Sequence, residues 1–273
     1  MGMNRRQSTM LLFAFAALFL IVITVAGYHL SAQAMATDFS RKNLAPSLQY
    51  PFGTDWMGRD MFVRALCGLS MSIRIGMLTA TVSACVAFLL GCAAAVMGKA
   101  VDSTITWLID LVMGIPHLLL LILISFAFGK GFWGVVIGVT LTHWMSLARV
   151  IRGEVLQLKE SGYIRVARKL GMGNARLIRK HMVPHLFPQF MVGLILLFPH
   201  AILHEASVTF LGFGLPPEQP AIGIILSESM KHLATGKWWL ALFPGLLLVF
   251  TVMLFDLAGS SLRRLTDPGS AHE

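Results

Sequence analysis

Three histidines stand inside apolar runs: His143 in Leu141-Thr-His-Trp144, and His200 and His204 in Phe198-Pro-His-Ala-Ile-Leu-His-Glu205. Imidazole suits divalent cations of borderline softness such as nickel. At i, i+4 the His200 and His204 side chains share one helix face, with Cβ atoms about 5–6 Å apart. Two readings follow. In one, His143, His200 and His204 form a transient metal way-station on a substrate path that includes Glu205. In the other they are polar side chains satisfied by backbone or by each other inside a membrane. A way-station must release what it binds, so the first reading expects no tightly held metal.

Hydrolytic chemistry is poorly served. The order His-x-x-x-His-Glu differs from the zincin pattern, which needs its glutamate next to the first histidine. Gly98-Lys99 and Gly129-Lys130 lack the upstream glycine spacing and the Ser/Thr of a phosphate loop, so no ATP site is expected on this chain. Neither a Ser/His/Asp nor a Cys/His order stands out. An ion-driven carrier would need buried acids as relays, and Asp110, Glu205 and Asp256 are the intramembrane candidates, each expected to pair with a neighbour near a span end. Cys67, Cys85 and Cys92 form no Cys-x-x-Cys, and helix packing is the expected role of the last two.

The elements carrying these residues belong to a membrane. Of 273 residues, 56% are apolar and 13% charged, and the mean hydropathy is +0.74. A soluble domain carries about a quarter charged residues. Apolar runs at about 9–30, 71–97, 104–128, 132–147, 186–213 and 238–262 are expected to be helical spans, the fourth a short one. The first begins after Arg5 and Arg6 like a signal peptide, and Ser31-Ala-Gln-Ala34 imitates a cleavage site. At about 20 residues it is long enough to cross, so it is expected to stay as an uncleaved helix. With the N-terminus inside, 14 of the 22 Lys and Arg fall on the cytoplasmic side, nine of them between 148 and 185. That bias puts both termini in the cytoplasm. It also explains the net charge of +9 as attraction to an anionic membrane surface, without nucleic acid.

The loop between spans four and five carries Tyr163, Ile164, Val166, Ala167 and Leu170 at helical spacing, opposite Arg165, Arg168 and Lys169. Gly171 can stop this helix, and Leu177 and Ile178 begin a second piece. Alone, the pattern also fits a basic amphipathic helix lying on lipid. Tyr163-Ile-Arg-Val-Ala-Arg-Lys-Leu-Gly171, then Ile178 and His181-Met-Val-Pro184, resembles the coupling loop of ABC importer permeases. Ala167 and Gly171 fit that pattern, whereas its acidic residue and first alanine fall on Arg165 and Val166.

Phe52-Gly-Thr-Asp-Trp-Met-Gly-Arg-Asp60 resembles the Gly-Thr-Asp-x-x-Gly-Arg-Asp segment of the dipeptide, oligopeptide and nickel permease subfamily. Glu205-Ala-Ser-Val-Thr-Phe-Leu-Gly-Phe-Gly214, Pro220-Ala-Ile-Gly223 and Trp239-Leu-Ala-Leu-Phe-Pro-Gly245 are similar to its last two spans, with Asp256, Arg263 and Asp267-Pro268 after them. Read physically, Gly53, Thr54, Asp55, Gly58, Arg59 and Asp60 make an extracytoplasmic turn. In it Thr54 or Asp55 caps a helix, and Arg59, Arg64 and Arg74 lie at the headgroup level.

The resemblance implies an all-α type I importer permease in a bacterial inner membrane: a lateral first helix (1–34), an extracytoplasmic segment (35–70) and a five-helix core (71–273). It implies a homologous permease partner, two ATP-binding subunits that hold ATP and magnesium, and an extracytoplasmic substrate-binding protein. Tyr163, Ala167, Gly171, Ile178, His181 and Pro184 would couple to the ATPase. The His-Trp of span four and the His-x-x-x-His of span five resemble nickel permeases, which makes nickel or a related metal complex the expected cargo and a di- or oligopeptide the alternative.

Overall fold

A computed structural model describes residues 5–266; Asp267 and Pro268 of the C-terminal motif lie outside them. The chain is all-α. Among the described residues the one β feature is an isolated antiparallel bridge between Thr54 and Asp60. In chain order the helices are α1 (Arg5–His29), α2 (Ser31–Met35), α3 (Met61–Val96), α4 (Lys99–Met113), α5 (His117–Ala127) and α6 (Phe132–Glu160). Then come α7 (Gly162–Lys169), α8 (Asn174–Leu177), α9 (Val183–Phe210), α10 (Ile222–Leu233) and α11 (Trp239–Thr266). A short 3-10 turn spans Phe39–Arg41, and a π-helical stretch, Ile178–Met182, leads into α9.

Five stretches are long and apolar enough to cross a membrane: Ser8–His29, Met61–Val96, Phe132–Glu160, Ile178–Phe210 and Trp239–Arg263. The expected third span is broken. Its halves, α4 and α5, are bent by 97°. Pro116 lacks an N–H to continue the ladder and drives Ile115 out of the α region. Neither half, at 15 and 11 residues, reaches across a core of about 30 Å at about 1.5 Å per residue. Counted together they make the sixth crossing.

Two boundaries differ from expectation for local reasons. Helix α3 starts ten residues before the expected span because the Asp60 carboxylate accepts the Phe62 and Val63 N–H groups at 2.8 and 3.3 Å, which fixes its N-terminus. The cap is thus Asp60 rather than Thr54 or Asp55. Helix α6 is not a short span: it runs past Leu147 to Glu160. Its basic extension is held from α4 and α3, with Arg152 Nη2 2.7 Å from Asp102 Oδ2 and Lys159 Nζ donating to the Ala95 carbonyl at 2.6 Å. Arg149 pairs with Asp110.

Helix α3 is the centre of the bundle, flanked by α6, α9 and α1. Its Ile73, Ala80, Ala84 and Ala87 pack with Trp144, Ile151, Phe198 and Ile202 in the main core. Helix α1 lies laterally against α3 and α11, with Leu11, Phe15, Leu18 and Ile21 exposed. An outward apolar stripe of this kind belongs against lipid.

Candidate functional site: a histidine-lined cavity at the broken span

The break between α4 and α5 opens a cavity of about 580 Å³. Gly114, Ile115, Pro116 and His117 line it from the break, Thr142, His143 and Ser146 from α6, and His200 and His204 from α9. Helix α5 enters it with no side-chain cap, so the free N–H groups and positive end of the helix face this space.

The imidazoles that meet are those of His117, His143 and His204. Their ring centroids lie 5.0 Å (117–143), 4.4 Å (117–204) and 4.8 Å (143–204) apart. His143 Nδ1 is 2.9 Å from the Val139 carbonyl. A carbonyl only accepts, so Nδ1 carries the hydrogen and Nε2 keeps its lone pair. His204 Nδ1 donates to the His200 carbonyl at 2.8 Å and lies 3.1 Å from His143 Nε2. His117 Nε2 is buried with no hydrogen-bond partner among the described residues. Of the expected trio, the rings of His143 and His204 meet and that of His200 stands apart, although all three line the cavity. The His200 ring is exposed on the cavity wall while its carbonyl orients His204, and His117 takes its place. The signal was Gly114-Ile-Pro-His117, a Gly/Pro interruption with a polar residue immediately after it.

Glu205 does not line this cavity. It is fully buried away from the cavity wall, and Thr209 Oγ1 donates to its Oε1 at 2.9 Å. Asp256 is exposed on α11. The described cysteines form no disulfide, and Cys67 Sγ donates to the Gly27 carbonyl.

On another face, the Gly-Thr-Asp segment is a folded lock. Asp55 Oδ1 accepts the Met57 and Arg59 N–H groups at 2.8 and 2.9 Å. Its Oδ2 lies 2.6 Å from Arg59 Nε and 2.8 Å from Arg64 Nη1. Arg64 Nη2 continues to Glu228 of α10 at 2.9 Å. Thr54 Oγ1 receives the Leu44 N–H at 2.9 Å and donates to the Arg41 carbonyl. Gly58 has φ +75°, and a Cβ there would fall 1.8 Å from the Asp38 carbonyl oxygen, so only glycine fits. The expectation that Arg59 and Arg64 sit among headgroups is overturned. Both are buried, 4% and 1% exposed, because two carboxylates meet them there; Arg74 is exposed.

On the loop after α6, the single apolar face expected of α7 splits in two. Ile164 is buried and Ala167 packs on the core, whereas Tyr163, Val166 and Leu170 are 49%, 56% and 82% exposed. The outward three lie at i, i+3, i+7, one helix face. The helix closes with Met172 N donating to the Ala167 carbonyl and Gly171 N to the Arg168 carbonyl, at 3.1 and 3.0 Å. With Gly171 at φ +83° this is a Schellman ending. Ile178 and His181 fall in the π-helical stretch, the latter's ring 6.0 Å from that of Tyr163, and Pro184 stands in the first turn of α9.

Residues 87–271 match the family described as "Binding-protein-dependent transport system inner membrane component". The chain belongs to this family. It is similar over 93% of its length to the dipeptide transport system permease protein DppC of Bacillus subtilis, at 31% identity and covering 80% of that protein. The oligopeptide transport system permease protein OppC of the same organism is 32% identical over 93% of this chain and 85% of its own. A putative peptide transport system permease protein of Brucella abortus is 34% identical over 92% and 85%. Among solved structures, a chain of the MetNI methionine ABC transporter in an inward-facing conformation superposes with a TM-score of 0.61, covering 76% of this chain and 98% of that one at 17% identity. That likeness establishes the type I importer permease fold. The chain is a multi-pass membrane permease subunit of an ABC importer.

Proposed function

We propose that this chain is a permease subunit of a di- or oligopeptide importer, with the cavity at the α4–α5 break as its half of the translocation path. The observation that carries the reading is near full-length similarity, at 31–34% identity, to permeases named for dipeptides and peptides. The cavity suits such a cargo. Its volume of about 580 Å³ falls in the range of small-molecule sites and exceeds what a bare cation needs. The uncapped start of α5 offers N–H donors and a positive dipole end to a peptide carboxylate. Peptide cargo therefore replaces nickel as the preferred reading.

The partners follow from the family. A homologous permease would close the other half of the path, and a substrate-binding protein would deliver cargo at the extracytoplasmic Gly-Thr-Asp side. Of two ATPase subunits on the cytoplasmic side, one would dock on Tyr163, Val166 and Leu170, whose exposed face is flanked by Arg165 and Lys169, and the other on the partner permease. The sequence carries no phosphate loop, so ATP hydrolysis belongs to those subunits. With both termini cytoplasmic, ATPase closure would pull α7. The π-helical link Ile178–Met182 would pass that motion to α9, which carries His200 and His204, and the path would alternate between its two sides. Among the described residues no acidic side chain lines the cavity, which weakens the ion-driven carrier. The test is ATP-dependent uptake into proteoliposomes holding the whole transporter: labelled dipeptide should accumulate, and failure of every di- to pentapeptide tried would end the peptide reading.

A further inference from the structure

We propose that His117, His143 and His204 form a three-imidazole site for a divalent cation of the cobalt–nickel–copper–zinc group, its open coordination positions facing the cavity. One nitrogen from each ring lies within 4.8 Å of one from each of the others. A cation about 2.0–2.1 Å from each nitrogen in tetrahedral geometry needs them about 3.3–3.5 Å apart. Side-chain rotation on binding would have to close the difference. The buried His117 Nε2 has no hydrogen-bond partner among the described residues, and a buried polar atom left unpaired calls for one. The carbonyls of Val139 and His200 hold the other two rings through their Nδ1 hydrogens. That outer-shell arrangement commonly orients metal-binding histidines.

The donor set selects the cation. Three neutral nitrogens, with no carboxylate on the cavity wall, suit nickel, copper or zinc and not magnesium or calcium, which take oxygen. The same lack of carboxylates leaves the cation's charge uncompensated in a low-dielectric setting. An anionic chelator filling the open positions would offset that charge and tighten binding, and the cavity beside the α5 N-terminus has room for one. A peptide bound through its terminal amine and carboxylate is a ligand of that class. The existence of the site does not depend on the peptide reading; its role in transport does.

The test uses the complete transporter, purified without a polyhistidine tag and titrated with cobalt(II) chloride. Low-coordinate, imidazole-bound cobalt absorbs in the visible far more strongly than the aqueous ion, and the expected result is one such cobalt per copy of this chain, displaced by nickel(II) and not by a thousandfold excess of magnesium. His117→Asn and His143→Asn should each weaken cobalt binding tenfold or more, while His200→Asn, which keeps the carbonyl that orients His204, should change it less than twofold. Absence of the cobalt bands in the unsubstituted transporter would overturn the site without relying on any variant. Equal loss in His200→Asn and His117→Asn would overturn it as well. Cobalt binding without dipeptide uptake would support the site and remove the peptide path; dipeptide uptake without cobalt binding would remove the site alone.

Discussion

Arg64 Nη2 lies 2.9 Å from Glu228 Oε2, joining positions 164 residues apart in sequence. The same guanidinium reaches Asp55 Oδ2 at 2.8 Å, so one side chain ties the Gly-Thr-Asp turn to α3 and α10. A planar guanidinium fork with several donors is well suited to bridge two carboxylates in this way. The pattern Gly-Thr-Asp-x-x-Gly-Arg-Asp thus specifies a folded plug: Asp55 organises its own turn, Asp60 starts α3, and Gly58 lets the chain pass against Asp38.

Removing Asp55 should be costly. Asp55→Asn leaves two buried guanidinium groups facing only Glu228, and breaking a buried pair from one side costs about 3–5 kcal/mol. Thermal unfolding of the purified transporter should shift down, and the 36–60 segment should become protease-sensitive. Arg64→Lys should also weaken the lock, because a point-like ammonium replaces the rigid fork that reaches both carboxylates. An unchanged melting profile in Asp55→Asn would mean that the ion pairs add nothing to stability.

Gly58→Ala and Gly171→Val separate two kinds of glycine. At Gly58 the new Cβ falls 1.8 Å from a backbone oxygen, so the turn must move and the lock open. At Gly171 nothing lies within 4 Å and only the φ of +83° is violated, at about 1–2 kcal/mol. Gly171→Val should insert and fold while losing its Schellman ending. Uptake and ATPase co-purification should fall with melting temperature little changed. Wild-type values for both would place the docking surface elsewhere.

The two faces of α7 give opposite expectations. Leu170→Asp, on the exposed side, should abolish ATPase co-purification and leave the bundle intact. Ile164→Asp buries an unpaired charge where Ile164 is fully enclosed, and should instead destabilise the chain itself. Retention of the ATPase by Leu170→Asp would show that this face is not the contact.

Most of the apolar spans and the family were legible because hydropathy and short motifs are local properties. What was not legible depended on contacts across the bundle. Asp60 carries its capping signal in sequence, yet two oxygen-bearing residues before it, Thr54 and Asp55, competed for that role; only the folded turn shows them engaged elsewhere. Arg64 reads as an interfacial arginine until Glu228 is brought to it. The i, i+4 spacing of His200 and His204 correctly places them on one helix side, but does not say which ring turns inward. That depends on the break at Pro116, which swings His117 within 4.4 Å of the His204 ring and leaves His200 on the wall. The apolar positions of α7 looked like one face because Ile164 and Ala167 are next to Tyr163 and Val166; burial alone distinguishes them.

The most direct test of the cavity as the path is to fill it. Ser146 is exposed on the cavity wall, and Ser146→Trp places an indole in that space while leaving every histidine unsubstituted. Val82→Trp, on an outward position of α3, serves as the control of equal bulk. ATP-dependent dipeptide uptake into proteoliposomes should fall tenfold or more in Ser146→Trp and stay within twofold of wild type in Val82→Trp, with both transporters assembling normally. Wild-type uptake by an assembled Ser146→Trp transporter would contradict the assignment of this cavity as the route.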